Sequence, residues 1–141
     1  MQTFLPYADY AKSARVLDNK RLGKQRSECL QILRALTLPK YGWKNHTATR
    51  MWRGHEQSLA QYSVAICDEW IARGYKDTCR QKIIDQIGNF LPDQSISIAP
   101  SWLGNEEIHA SHRSNLLRKA PEWYSQFNWS EPNDLEYVWP V

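Results

Sequence analysis

The chain has 141 residues, of which 42% are apolar and 23% charged, with a formal net charge of +3. That length suits a single domain, residues 1–141, able to bury roughly two-thirds of the surface its unfolded chain exposes. No stretch approaches the about eighteen apolar residues of a membrane span, the Met-Gln-Thr-Phe-Leu-Pro start lacks the pattern of a secretory signal, and Cys29, Cys67 and Cys79 fit neither a disulfide framework nor a structural zinc site, so a soluble cytoplasmic protein with reduced, buried thiols and no membrane partner is expected.

In chain order, Leu22, Cys29, Leu33 and Leu36 fall in a narrow arc at about 100° per residue, which predicts an amphipathic helix from about Asp18 to Thr37, ended by Pro39 and Gly42. Thr47 to Arg73 predict a second helical stretch, broken near Gly54. Leu59, Tyr62, Ile66 and Trp70 share one of its faces and Ala60, Val64, Cys67 and Ile71 another, so it is expected at the centre of the fold, with Gly74 as its C-cap. A third helix is predicted from Asp77 to about Asn89, followed by a loop from Leu91 to Ser101 whose Ser95–Ile98 alternation is too short for a strand. A fourth, from Asn105 to Lys119, has Asn105 as its N-cap and Glu106 and Glu107 in its first turn, where the helix dipole favours carboxylates. Pro121 opens a short turn or helix. The tail from Asn128 to Val141 reads as irregular, pinned to the core by Tyr137, Val138 and Trp139. The class is all-α, a compact single-domain helical bundle with an irregular C-terminal tail.

Basic residues cluster at Lys20, Arg21, Lys24 and Arg26, again at Lys40, Lys44, Arg50 and Arg53, and again at Arg113, Arg118 and Lys119. Seven Trp and seven Tyr accompany them, several in polar segments such as Tyr41-Gly42-Trp43. Bases interleaved with rings suit phosphate contact and base stacking, although a charge run is more often a solvated helix face and most large rings belong to a core.

Arg21, Gln25 and Glu28 line one stripe at the edge of the first apolar arc, where partial desolvation can ready a carboxylate for proton transfer; an Arg–Glu surface pair is the plainer reading. His109, His112, Leu116 and Lys119 share a face of the fourth helix, which predicts a polar surface beside a cleft. That surface suits phosphate contact or plain solvation, and the histidines could reach a metal, but no third ligand stands at a fitting spacing. His46 opens the second helical stretch, where backbone amides favour an anion, with Arg50 on the same side; a capping or core histidine explains it equally well. No GxSxG, P-loop, HExxH, GxGxxG or paired CxxC is present.

Val16-Leu17-Asp18 followed ten residues later by Glu28, and then Tyr41-Gly42-Trp43-Lys44-Asn45-His46, resemble the pyrimidine-dimer DNA glycosylases of the endonuclease V type. The stretches Ile108-His109-Ala110-Ser111-His112-Arg113 and Pro121-Glu122-Trp123-Tyr124 resemble that family's last helix and its closing segment, so the likeness spans most of the chain in order. The chain is also similar to a group of bacterial proteins that share its Gln-Thr-Phe-Leu-Pro start and Tyr-Val-Trp-Pro ending. The resemblance implies a compact all-helical fold and a cofactor-free, metal-independent glycosylase coupled to abasic-site lyase activity. The N-terminal α-amine would attack the sugar C1′ and form a Schiff base, and an α-amine, with an ordinary pKa of about 8, keeps a neutral fraction for that attack. Glu28 matches the family's essential glutamate and would stabilise the sugar cation and move protons. Arg21 and Arg26 would hold phosphates, and Trp123 and Tyr124 would stand beside a displaced base. Lys24, His46, Arg50, His109, His112, Arg113 and Lys119 complete the expected DNA contacts.

One departure bears on the nucleophile. The best-studied members of the family expose a small residue once methionine is removed, whereas here the large Gln2 follows Met1 and disfavours removal, which leaves the amine on Met1; were Met1 lost, Gln2 could cyclise and destroy it. The expected partner is double-stranded DNA with a damaged or modified pyrimidine, met by a nucleoid-associated monomer. Two other readings remain at this level: a non-catalytic nucleic-acid binder using the same basic, aromatic cleft, and a helical module whose histidine face takes a metal or a protein.

Overall fold

The computed structural model describes residues 1–91 and 98–141. Most of the loop expected from Leu91 to Ser101, with its Ser95–Ile98 alternation, lies outside the described residues. Among these the chain is all-helical, with α1 (Tyr10–Val16), α2 (Asn19–Thr37), α3 (Thr47–Arg50), α4 (Glu56–Ala72), α5 (Cys79–Phe90), α6 (Glu106–Lys119) and α7 (Pro121–Tyr124), and a closing 3₁₀ turn at Ser125–Phe127.

Side-chain caps set most of the helix starts. Asp18 accepts the Arg21 N–H at the start of α2, and Asn105 accepts the Glu107 N–H at 3.1 Å at the start of α6. Asp77 lies before α5 and accepts from the N–H groups of Cys79 and Arg80 at 3.2 and 2.8 Å, so α5 starts two residues later than periodicity suggested. The break expected near Gly54 separates α3 from α4, with Gly54 at φ 85°, and Gly74 at φ 93° follows the last turn of α4. Helix α1 has no counterpart in the sequence reading: its seven residues bury only Ser13, Ala14 and Val16, too short a span to show periodicity, and its start rests on Asp9 accepting the Lys12 N–H at 2.8 Å.

Helix α4 packs on α1, α2 and α5, the central position that its two apolar faces imply. Leu59, Tyr62 and Ile66 are fully buried, whereas Ile71, in the final turn, is exposed. Gly23 lets α2 approach Trp70: a Cβ there would stand 2.9 Å from the Trp70 Cη2. Trp70 is itself held between Tyr75, stacked at 4.2 Å, and the Arg26 guanidinium at 4.4 Å. The three thiols are unpaired, and burial pushes Cys29 up to about 12.

The N-terminal segment is threaded through the core without regular secondary structure. Residues 2–6 are buried, and side chains from several helices satisfy their backbone. Gln25 of α2 accepts the Phe4 N–H at 2.9 Å and donates to the Gln2 carbonyl at 2.7 Å. The Tyr62 hydroxyl of α4 donates to the Phe4 carbonyl, and in α6 His112 Nδ1 accepts the Leu5 N–H at 2.8 Å while His109 Nδ1 meets the Leu5 carbonyl at 2.8 Å.

The C-terminal tail is irregular, as expected, and tied along α6. Ser114 Oγ accepts the Leu135 N–H, Asn115 donates to the Leu135 carbonyl and Ser111 Oγ accepts the Val138 N–H. Tyr137 meets the His112 ring edge-on at 5.7 Å, and Trp139 packs on Tyr137 at 5.6 Å.

Candidate functional site

Threading the N-terminus along α2 brings chain residue 1 to the middle of a helix. The Gln2 N–H donates to Glu28 Oε2 at 3.3 Å, and Lys24 Nζ lies 3.5 Å from Glu28 Oε1. Both contacts face a cavity of about 340 Å³ lined by Met1, Gln2, Phe4, Gln25, Glu28, the cations Lys20, Arg21, Lys24 and Lys119, and Tyr137. Helix periodicity places Arg21, Lys24, Gln25 and Glu28 on adjoining turns, and the buried Gln25 carboxamide fixes the chain leading from Met1. The Lys119 ammonium is held below its usual range, first by burial and then by Arg21, Arg118 and Lys24. An amine, a carboxylate and a ring of cations thus share one opening.

His46 stands close enough to be felt there. Its imidazole is held below the ordinary histidine value by burial and then by the N-terminal amine, with Glu28 opposing. It also caps α3, with Nδ1 accepting the Ala48 N–H at 3.0 Å, so the capping reading of this residue is correct. Arg50, at the other end of α3, is exposed.

Met1, Gln2, Arg21, Lys24, Glu28 and Lys119 are therefore brought together, and the other expected contacts are dispersed. The polar face expected on α6 is corrected: His109 and His112 are 2% and 0% exposed and grip the Leu5 backbone rather than bordering a cleft. His109 Nε2 also accepts the Gly104 N–H at 3.0 Å, so both of its ring nitrogens are used. His112 is held down to about 3, first by burial and then by His109 and Arg113, and is neutral. Arg113 is likewise buried, donating to the Pro6 carbonyl at 2.7 Å and paired with Glu106 and Glu131, so it is not free for phosphate. Arg26 points away from the opening, paired with Asp77 at 2.6 Å beneath Trp70. Tyr124 is fully buried with its hydroxyl on Asp18, and Trp123 donates to the Val16 carbonyl at 2.8 Å; both fasten α7 to the α1–α2 corner. His109, His112 and Arg113 share one reason: a polar group on a helix face is read locally as solvent-facing, but the partner that buries it comes from far along the chain.

Four lining residues were missed as site residues. Lys20 lay within the recognised basic cluster and Gln25 within the carboxylate stripe, and Tyr137 carried the signal of an aromatic in a polar tail. Phe4 carried none. Among the described residues, no group of three or more His, Cys, Asp and Glu side chains could hold a metal ion, and no described helix is long and apolar enough to cross a membrane.

The fold and site define an all-helical protein that sets its own N-terminus against a helix carboxylate within a basic opening. A family model described as pyrimidine dimer DNA glycosylase matches residues 1–83, and the chain belongs to that family. The family is one of DNA-repair glycosylases, and DNA is its substrate. No curated protein and no solved structure matches the chain. The matched span holds Met1, Glu28 and His46, while Lys119 and Tyr137, which close the opening from α6 and the tail, lie beyond it.

Proposed function

We propose that this protein excises a damaged or modified pyrimidine from double-stranded DNA and then cleaves the abasic site, with the residue-1 α-amine as nucleophile and Glu28 as the acid–base group. The observation that carries this reading is the Gln2 N–H bond to Glu28, which holds the start of the chain at the carboxylate inside the basic cavity. The amine lone pair forms a bond to C1′ as the glycosidic bond breaks, and its electron pair leaves with the base, which takes up a proton. Ring opening and loss of the nitrogen proton give the imine. Glu28 stabilises the cationic sugar and removes a C2′ proton, and the C2′–H electron pair expels the 3′ phosphate. Water then hydrolyses the imine and frees the amine.

Lys20, Arg21, Lys24 and Lys119 hold the phosphates that flank the extruded nucleotide. Amine and carboxylate supply the whole chemistry, so a chelator is expected to leave the rate unchanged. Borohydride reduction of the protein on duplex DNA bearing an abasic site or a thymine dimer tests the reading, with peptide mapping of the adduct. An adduct on residue 1 is the expected result; absence of any adduct on either DNA overturns the imine mechanism. Glu28→Gln is expected to lower turnover by at least about a hundredfold, the scale of a lost acid–base group, while DNA binding persists. Equal turnover would turn the assignment towards a binding protein that uses the same opening.

A further inference from the structure

Tyr137 stands at the opening with a hydroxyl that the fold does not use. The protein has seven tyrosines. Five of their hydroxyls are hydrogen-bonded within it: Tyr7 to Trp129, Tyr10 to Ser58, Tyr62 to the Phe4 carbonyl, Tyr75 to Asn19 and Tyr124 to Asp18. Among the described residues, the hydroxyls of Tyr41 and Tyr137 have no such partner, and of these two only Tyr137 lines the cavity that holds Met1 and Glu28. Three rings pack on it, with centres 6.5 Å away at Phe4, 5.7 Å at His112 and 5.6 Å at Trp139. The backbone on either side is fixed as well, Leu135 by Ser114 and Asn115 and Val138 by Ser111. Burial holds the phenol above the ordinary tyrosine value, with Arg118 and Arg21 opposing and Glu28 reinforcing, so it stays a neutral donor. The other hydrogen-bonding groups of the lining are cations, a carboxylate, the N-terminal amine and carboxamides whose oxygens are already engaged by the backbone.

The chemistry assigned to residue 1 and Glu28 leaves one demand unmet. When the glycosidic bond breaks, its electron pair passes into the base, and negative charge collects on the ring nitrogen and the adjoining carbonyl oxygen. Resting on the glycosylase reading, we propose that Tyr137 donates a hydrogen bond to that carbonyl oxygen and so stabilises the departing base. The phenol keeps its own proton, and the base takes up one from water. A ring already braced by its neighbours gives this stabilisation with little reorganisation. An abasic site has no base to expel, so the role is confined to the first chemical step.

The test uses the full chain, in saturating excess over duplex DNA bearing either a thymine dimer or an abasic site, and reads the rate of borohydride trapping on each. Both rates depend on the amine and Glu28; only the first depends on departure of a base. Tyr137→Phe keeps the ring and its packing, so its melting temperature should match that of the wild type, which separates a functional loss from unfolding. Its trapping rate should fall at least about tenfold more on the dimer than on the abasic site, the scale of one lost hydrogen bond to a developing charge. Equal losses on the two DNAs would overturn the donor role while trapping at residue 1 stands. So would a wild-type rate for Tyr137→Phe on the dimer, even if Tyr137→Leu is slow there, because the ring alone would then suffice. A wild type trapped on the abasic site but not on the dimer would overturn dimer excision and the donor role with it, and one trapped on neither would overturn the imine mechanism as a whole.

Discussion

Gln25 shows how one side chain can serve stability and chemistry together. It is 1% exposed, and its carboxamide uses both ends on the N-terminal segment, accepting from Phe4 and donating to Gln2. Gln25→Leu keeps much of the volume but orphans a buried N–H and a buried carbonyl. At roughly 1–3 kcal/mol for each buried group left unpaired, the loss is expected to be about 2–6 kcal/mol by urea denaturation. The proposed amine is displaced as well, so borohydride trapping is expected to fall in the fraction that remains folded. The residue-scale signal in the sequence was real but misread: the spacing of Arg21, Gln25 and Glu28 marked a stripe of interest, while nothing local showed that Gln25 would grip chain residue 2.

At the scale of elements, Gly23 and His112 show how helix contacts set limits. Gly23→Ala improves helix propensity by up to about 1 kcal/mol. Its Cβ would meet the Trp70 ring at 2.9 Å, and Trp70, held between Tyr75 and Arg26, has little room to yield. Overpacking costs about 1–3 kcal/mol, so the expected net effect is destabilisation, read as a lower melting temperature. His112 ties α6 to Leu5 only while neutral, and its folded pKa, about 3, lies below the ordinary 6.5. The unfolded chain therefore takes up the proton first, and the contribution of His112 is full above pH 6.5 and lost as the pH falls towards about 3. Urea midpoints should already drop between pH 6.5 and about 5, above the range in which free carboxylates titrate. His112→Gln should flatten that segment of the profile; an unchanged slope would show that His112 does not set it.

For the whole molecule, the opening is assembled from the two ends of the chain, with Met1 on one wall and Lys119 and Tyr137 on another. Its cations predict a salt-dependent affinity for DNA. Each phosphate contact contributes about 0.9 to the slope of log affinity against log salt, so Lys119→Ala should lower the slope by about one while trapping still maps to residue 1. A slope unchanged by that substitution would remove Lys119 from the phosphate contacts.

The sequence by itself determined the helical class, the four long helices, the break at Gly54, the cap at Asn105, and the resemblance that singled out Glu28. These depend on interactions within about four residues, where periodicity and capping act. Only the tertiary structure decided which polar residues face the opening. His109 and His112 reach the Leu5 backbone across 104 and 107 positions, and Arg113 reaches Pro6 across 107. At such separations the chain pattern carries no record of the partner, so a histidine that staples the N-terminus and one that lines a cleft look alike until the ends of the chain meet.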